Sequence, residues 1–242
     1  MSLKLLTWNI QACIGTSGYR DYLFRAHRQV MHTRAKITIL HHIARAIADY
    51  DVVCLQEVDL GGRRAGFRCQ ANDIAVLSGH KHVILQENRT VRGLSRHGNA
   101  ILSRSPVRDV QDFKLPGRLS GRGCLIAQID CPVAVTVASL HLSLGVADQT
   151  RQLSFVADAL PGRGHWAVMG DFNCRANSAP IAAFCDRLNI PAPRIGPATY
   201  PSWKPRWDYD HILSDASSTL THYGGLALTH SDHLPVIGTL NF

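Results

Sequence analysis

Short apolar, β-branched runs recur along the whole chain, and they constrain its fold more than any other feature. Each run has about four to eight residues and is bounded by polar residues, Gly or Pro, which is the pattern of β-strands. The runs read KLLTW, VVCLQ, HVILQ, NAILS, CLIAQI, VAVTVAS, WAVMG, HILS and LPVIGTL. None approaches the roughly 18 residues that a membrane-spanning helix needs.

Fainter helical patterns lie between some of these runs. The segments 33–49, 148–160 and 178–188 each place apolar residues on one stripe, which in the first segment includes Ile37. Many strands with a few helices predict a layered α/β or α+β fold, because both faces of such sheets need covering. No repeat, low-complexity tract or linker interrupts the pattern, so we predict one domain over residues 1–242.

Composition narrows the class of protein. The chain has 242 residues, of which 45% are hydrophobic and 18% charged, and this excludes a disordered or fibrous protein. Its seven cysteines are widely spaced without a CxxC pair, so neither a disulfide framework nor a zinc knuckle is indicated. The opening MSLKLLTWNIQ lacks the features of a signal peptide. We therefore expect a cytoplasmic protein, acting as a monomer.

The charge balance indicates an anionic partner. The formal net charge is +8, and basic residues concentrate in the middle of the chain. Nucleic acid, a phospholipid head group or a small phosphate ester would suit such a surface. A solvated basic face with no partner is the alternative interpretation.

Polar residues stand where the apolar runs stop. Each alone is typical of a turn or a cap, but together they predict a site where loops open at strand ends. The residues are Asn9, Glu57, His141, Asp171, Asn173, Asp210 and His211, together with Asp232 and His233 in the late element SDH.

Glu57 follows the apolar run DVVCLQ, where a carboxylate must be solvated, paired or bound to a cation. Mg²⁺ takes such oxygen ligands and keeps positions for water and substrate phosphate. No HExxH motif or clustered His/Cys spacing indicates zinc. These features predict a hard-cation site that includes Glu57.

Two further elements suggest hydrolysis. In GDFNC an extended backbone would point Asp171 and Asn173 the same way, so that they could hold a water or a phosphate oxygen, whereas an Asx turn is the alternative. His233 needs an orienting acceptor to act as a base, and Asp210 is available at another strand end. No serine nucleophile accompanies this pair, so water would attack.

The ordered set TWN, LQE, HGNAILS, SLHL, GDFN, DYDHI and SDHLP, from Asn9 to Pro235, resembles the endonuclease/exonuclease/phosphatase superfamily. That group includes magnesium-dependent abasic-site endonucleases, deoxyribonuclease, neutral sphingomyelinases and inositol polyphosphate 5-phosphatases. The resemblance implies a four-layer α/β sandwich, in which two mixed sheets pack face to face with helices outside. It also implies a phosphoric ester hydrolase that uses Mg²⁺, or Mn²⁺ in its place, for in-line attack of water on a phosphoester.

The resemblance assigns roles residue by residue. Glu57 resembles the family's main Mg²⁺ ligand, Asn9 the amide that supports the metal or its waters, and Asp232 the second acid near the metal. His233 is similar to the histidine that contacts phosphate or transfers a proton, and Asp210 to its partner.

The remaining motifs match positions that face the substrate. Asp171 and Asn173 match the pair that positions the attacking water and the phosphate, and His141 is similar to a phosphate-contacting position. Asn99 in HGNAILS and Arg122 in GRG fall where relatives make substrate or structural contacts.

Departures from the family pattern leave the substrate open. Leu142 stands where abasic-site endonucleases have Tyr, and Ser139 stands where many relatives have Asn. The leading hypothesis is a phosphodiesterase or phosphatase. A DNA or RNA nuclease using the basic central surface is one alternative, and a catalytically inactive phosphate-binding module is another.

Overall fold

The structure is a computed structural model that describes residues 1–24 and 26–242. Its strands, in chain order, are β1 (Ser2–Asn9), β2 (Val52–Asp59), β3 (His82–Val91), β4 (Ser95–Ser103), β5 (Val107–Lys114), β6 (Gly123–Ile129), β7 (Val135–His141), β8 (His165–Asp171), β9 (Asp210–Ser214), β10 (Thr219–Gly225) and β11 (Val236–Asn241). The α-helices are α1 (Asp21–Phe24), α2 (Arg34–Ala46), α3 (Gln70–Ser78), α4 (Val146–Ala159) and α5 (Ala179–Leu188). Short 3₁₀ turns cover Gln11–Cys13, Ala26–Gln29 and Arg63–Ala65.

The strands form two mixed sheets. The first has six strands in the order β10-β11-β1-β2-β4-β3, and the second has five in the order β5-β6-β7-β8-β9. Each contains one parallel pair, β1–β2 in the first sheet and β7–β8 in the second. The carboxyl ends of each parallel pair therefore lie side by side. Strand β11 is antiparallel to β1, and β9 is antiparallel to β8, so both begin at those ends.

Three apolar clusters separate four layers. Leu5, Val137 and Met169 belong to the cluster between the two sheets. The outer face of the first sheet packs against α2 and α3, and that of the second sheet packs against α4 and α5. The predicted four-layer α/β sandwich is confirmed.

Most predicted elements form, and the exceptions share a cause. The edge strands β5 and β10 are exposed along most of their length, so they lack the apolar runs that mark buried strands. Helix α3 also escaped prediction, and its Val76 is 81% exposed. Ile37, placed on the buried stripe of α2, is instead 43% exposed, which corrects that assignment. No helix among the described residues has the length and apolar character to cross a membrane.

Candidate active site

Asn9 joins the two sheets at the edge where the parallel strands end. Its side chain is buried, and its Nδ2 donates a hydrogen bond to Oδ2 of Asp171 at 3.1 Å. Its Oδ1 accepts from the backbone N–H of Gln11 at 3.1 Å. Because Asn9 ends β1 and Asp171 ends β8, this one bond brings polar residues of both sheets together.

A bulge in β2 turns Glu57 toward this edge. The pairing of β2 with β4 shifts register between Leu55 and Val58, and Glu57 has a φ of 56°, in the left-handed region. Bulges re-aim side chains next to active sites, and strained backbone clusters there. The neighbouring Gln56 instead points into the molecule, where its Nε2 donates to Oγ1 of Thr7 at 3.1 Å.

The environment of Glu57 is electrostatically unfavourable for its negative charge. Burial raises the pKa of Glu57, and the carboxylates of Asp232 and Asp171 raise it further. His233 and a hydrogen bond from Asn9 oppose that rise without cancelling it. The protein therefore gathers three acids around a place where a cation would relieve their repulsion.

Asp232 reaches the same place from the segment before β11. Its Oδ2 accepts from Nε2 of Gln11 at 2.9 Å, and its Oδ1 accepts from Oγ of Ser231 at 3.2 Å. The Ser231 hydroxyl also donates to the backbone carbonyl of Asn9 at 2.7 Å. The segment before β11 is thereby held against the end of β1, although Ser231 and Asn9 lie 222 residues apart in the sequence.

Asp171 and Asn173 form an Asx turn, not the extended pair that alternation along a strand suggested. Strand β8 ends at Asp171, and Asn173 has a φ of 51°. The backbone N–H of Asn173 donates to Oδ1 of Asp171 at 2.9 Å, and its Nδ2 donates to the Leu142 carbonyl at 2.8 Å. The turn leaves Oδ2 of Asp171 facing Asn9 and Nε2 of His233, which lies 3.8 Å away.

Asp210 fixes His233. Its Oδ2 lies 2.8 Å from Nδ1 of His233 and accepts from Oγ1 of Thr199 at 2.5 Å. Nε1 of Trp8 donates to the backbone carbonyl of His233 at 2.9 Å, and the Tyr200 ring lies 4.9 Å from its imidazole. Asp210 therefore fixes the orientation of the His233 ring, and Trp8 holds its backbone.

The pKa values of the two histidines of the site shift in opposite directions. Burial alone would lower its pKa, but the carboxylates of Asp210 and Asp171 outweigh burial and hold the pKa well above its ordinary value. His141 behaves in the opposite way. Burial lowers the pKa of His141 to about 3, and the Arg122 guanidinium contributes to the lowering against the effect of Asp171.

His141 and Arg122 are in direct contact. Nη1 of Arg122 meets Nε2 of His141, which itself lies 3.4 Å from Oδ2 of Asp171. A guanidinium has only donors, so Nε2 of His141 accepts this bond. Arg122 thus extends the site with a positive charge beside a neutral imidazole.

Asn99 lies deeper and links the two sheets. Its Nδ2 donates to Oε1 of Gln86 at 2.9 Å and to the Gly123 carbonyl at 3.3 Å. Gln86, which sequence reasoning missed, donates in turn to the Cys124 carbonyl at 3.1 Å. The structure therefore places Asn99 in the wall of the site within a structural bridge.

Some residues escaped or misled sequence reasoning. His211 was predicted to stand at a strand end with the polar residues of the site. It is instead buried under the Asp171–Asn173 turn, where its Nε2 lies 2.9 Å from the carbonyl oxygen of Cys174. Gln11 and Thr199 orient acids of the site, yet neither lies in a motif that carries chemistry. Only their spatial neighbours reveal them.

Two sets of side chains could hold a cation. In the described part of the chain, ligand atoms of Asp171, Asp210 and His233 lie within 4.8 Å of one another. Asp210 and His233 already bond each other there, which favours a proton relay over a metal cage. The set around Glu57 and Asp232 offers oxygen donors and unrelieved negative charge, which fits a hard cation better.

Comparison with known families identifies the chain's kinship. The profile described as "Endonuclease/Exonuclease/phosphatase family" matches residues 6–233. No curated protein sequence matches the chain.

Solved structures show the same fold. An endonuclease/exonuclease/phosphatase family protein from Leptotrichia buccalis C-1013-b is 18% identical with a TM-score of 0.75, covering 99% of this chain and 100% of that one. The mannosyl-6-phosphatase Bt3783 of Bacteroides thetaiotaomicron VPI-5482 is also 18% identical, with a TM-score of 0.74 and the same coverage. A beta toxin mutant of Staphylococcus aureus with bound magnesium ions is 14% identical, with a TM-score of 0.69, covering 98% of this chain and 99% of that one.

Proposed function

The chain belongs to the endonuclease/exonuclease/phosphatase family, and we propose that it is a metal-dependent phosphoesterase in which water attacks phosphorus in line. The observation that carries the proposal is the meeting of an acid cluster with a His–Asp pair at one sheet edge. Burial, and then the carboxylates of Asp232 and Asp171, raise the pKa of Glu57, and Nδ1 of His233 lies 2.8 Å from Oδ2 of Asp210. A site for a cation and a proton carrier are the two components of metal-assisted phosphoester hydrolysis.

Glu57 and Asp232 would hold the metal, with Asn9 as the supporting amide, and Mg²⁺ is the ion that their oxygen donors fit best, with Mn²⁺ as a substitute. The donor set supports this assignment because Glu57 lacks a cationic side-chain partner strong enough to keep its pKa at the ordinary value. A bound divalent ion supplies charge stabilisation to the phosphoryl oxygens. The magnesium ions in the beta toxin mutant support the choice of metal.

The other residues position water, protons and phosphate. Oδ2 of Asp171, held by Asn9, orients the attacking water, while Asn173 keeps its Oδ1 free for the substrate because Nδ2 is engaged by Leu142. His233, protonated against Asp210, donates toward the oxygens on which charge develops. Arg122, held by its bond to Nε2 of His141, donates its remaining N–H groups to the phosphate, and His141 lines the same wall with Asn99 behind it.

The basic surface favours a small phosphoester over a nucleic acid. Several of the central arginines are already committed: Arg64 to Asp59, Arg68 to Asp73, Arg96 to Glu87 and Arg108 to Asp130. Such pairs reduce the charge available to track a phosphate backbone. We therefore place a DNA or RNA nuclease second, and an inactive phosphate-binding module third.

The cysteines and the single-domain pattern bear on where and how we expect the protein to work. All seven cysteines are free, which suits a reducing compartment such as the cytoplasm. We expect residues 1–242 to form one catalytic domain that works as a monomer, which size-exclusion chromatography with light scattering would test.

An activity panel tests the proposal. Purified protein with Mg²⁺ or Mn²⁺ is assayed on duplex and single-stranded DNA, RNA, abasic DNA, sphingomyelin, phosphoinositides, sugar phosphates and bis-p-nitrophenyl phosphate at two salt concentrations. We expect metal-stimulated hydrolysis of small esters with a weak response to salt. Cleavage of polynucleotides that falls steeply as salt rises would establish the nuclease instead, since backbone contacts release counterions. Phosphate-ligand binding without hydrolysis across the panel would establish the inactive module.

A further inference from the structure

A cavity of about 220 Å³ opens beside Glu57 and His141. It lies between the β3–β4 hairpin and the segment 119–122 that precedes β6. Its volume is below the roughly 300–1,000 Å³ of pockets that enclose drug-sized ligands. It can therefore receive a small group attached to the substrate.

The cavity is cationic apart from Glu57. Arg89 and Arg122 both line it, and neither forms an ion pair with an acidic side chain in the described ranges 1–24 and 26–242. The nearest acid of the same hairpin, Glu87, is bound to Arg96 instead, with 2.5 Å between Nη2 and Oε2. Arg122 turns one nitrogen to His141 and keeps its other donors. Two guanidinium groups thus line the cavity without an acidic partner among the described residues.

His97 adds a fixed donor to the same wall. Asp59 and Arg64 are buried and paired, with 2.6 Å between Oδ2 and Nε, and Nη2 of Arg64 lies 2.5 Å from Nε2 of His97. Because Arg64 can only donate, Nε2 of His97 must accept, and the proton of the neutral ring resides on Nδ1. Burial and Arg64 lower the pKa of His97 to about 4, in agreement with a neutral ring.

The wall also has unmet polar capacity. Oδ1 of Asn88 and Oδ1 of Asn99 are buried without a hydrogen-bond partner in the described residues, and both side chains line the cavity. Buried polar atoms in folded proteins are nearly always bonded to protein, water or ligand. Both atoms are amide oxygens that accept hydrogen bonds, so water or an N–H or O–H group of the substrate would satisfy them, and the donors that an anion needs are those of Arg89, Arg122 and His97.

We propose that this cavity binds a second anionic group of the substrate, a phosphate or a carboxylate carried close to the scissile phosphoester. Arg89 and Arg122 neutralise its charge, and Nδ1–H of His97 donates to one of its oxygens. The inference rests on the proposed function, because it places the scissile ester between Glu57 and His141. It narrows the substrate class to compact phosphoesters with two acidic groups.

Matched phosphonates test this inference. Wild-type protein with Mg²⁺ is titrated by calorimetry with 3-phosphonopropionate and with propylphosphonate, which carries a methyl group in place of the carboxylate. Both compounds are also tested with chains one carbon shorter and one carbon longer, because the distance between the two anionic groups must match the distance between the two parts of the site. The same compounds are tested as inhibitors of the best substrate in the activity panel, beside a single-stranded oligonucleotide. We expect the carboxylate member to bind at least about tenfold more tightly, as charge-assisted hydrogen bonds would predict.

Two arginine variants locate the effect. Arg89→Ala should reduce that preference to less than about threefold, whereas Arg92→Ala, which removes an exposed charge of the same hairpin outside the cavity, should preserve it. A preference absent from the wild type at every chain length, or one that survives Arg89→Ala, would overturn the inference. So would an oligonucleotide that binds more tightly than the phosphonocarboxylates and loses affinity in Arg89→Ala. If the wild type hydrolyses no phosphoester, the proposed function is wrong, but the calorimetric titration still measures whether the cavity binds the second anionic group.

Discussion

His233 shows that the role of a side chain depends on neighbours that sequence proximity does not reveal. His233 of the SDH motif and Asp210 were predicted as partners, and Nδ1 of His233 lies 2.8 Å from Oδ2 of Asp210. Thr199 lies in none of the apolar runs, and Trp8 was taken only as part of a buried strand, so neither was predicted to hold Asp210 or His233. The sequence thus pointed to ionisable residues that the fold brings together, and it missed the groups that orient them.

The Asp171–Asn173 pair marks the limit of reasoning from strand periodicity. Alternation assumes that a strand continues, and here it ends at Asp171 because the next turn is closed by the carboxylate itself. The residues were predicted correctly as neighbours, but their geometry differs. Only Oδ2 of Asp171 remains for chemistry.

Removal of either group should abolish most of the activity. We expect Asp171→Asn and His233→Ala to lower kcat/KM by about 100- to 1,000-fold, since each removes a charge that acts on the transition state. Steady-state kinetics measure the loss, and circular dichroism checks that the fold persists. The exposed substitutions Asp186→Asn and His27→Ala are the matched controls. Turnover near the wild-type rate in either test variant would remove that residue from the site.

At the scale of elements, close backbone approaches shape the strands that carry the site. Gly170 has a φ of 153°, and a Cβ placed on it would lie 2.0 Å from the carbonyl oxygen of Leu140 in β7. The neighbour that leaves no room for a side chain at Gly170 is thus the backbone of the adjacent strand. The bulge at Glu57 has no comparable sequence signal.

Gly170→Ala should therefore destabilise the β7–β8 pair. Backbone atoms cannot yield as a flexible side chain can, so we expect a loss of about 2 kcal/mol or more in the free energy of unfolding. Urea denaturation measures the change. Gly162→Ala is the control, because a Cβ there meets nothing within 4 Å. Equal stability of the two variants would contradict the structure at this strand pair.

The loop after β2 should give the protein an acid-sensitive component of stability. Burial alone would raise the pKa of Asp59, but hydrogen bonds from Arg64 and from the amides of Gly62 and Gly61 outweigh it and lower the pKa. Because the folded pKa lies below the unfolded value, the stabilisation is present above about pH 4 and is lost as pH falls through the folded pKa.

Asp59→Asn isolates this component. Near neutral pH the variant should lose about 3–5 kcal/mol, because Arg64 remains buried without its partner, and the difference from wild type should shrink below pH 4. Denaturation at a series of pH values gives the curve. Asp73→Asn, which breaks the exposed pair with Arg68, should change stability little at any pH. A difference between wild type and Asp59→Asn that grows on acidification would reverse the assigned sign.

At the scale of the whole molecule, the order of strands explains why residues from both ends of the chain share one site. Strand β11 lies between β10 and β1, so the last strand is internal to the first sheet. The buried strands have apolar sequences, so the strands and the layered sandwich that they form were predicted. The edge strands β5 and β10 were not predicted, because most of their residues are exposed and their sequences therefore contain no apolar run.

Truncation before Ser231 should consequently abolish folding as well as activity. It removes β11, separates β10 from β1, and deletes Asp232 and His233. Gel filtration and thermal unfolding by circular dichroism report the outcome. A truncated protein that remains monodisperse with a cooperative transition would show that the first sheet does not need its last strand.

The most direct test of the central claim is metal-dependent turnover by the acid cluster. Protein freed of metal with a chelator is assayed on the best phosphoester of the activity panel while Mg²⁺ or Mn²⁺ is added back, in parallel for the wild type and Glu57→Gln. We expect saturable recovery in the wild type and activity at least about 100-fold lower in Glu57→Gln at every metal concentration. Full activity in the metal-free wild type, or equal recovery in the two proteins, would contradict it.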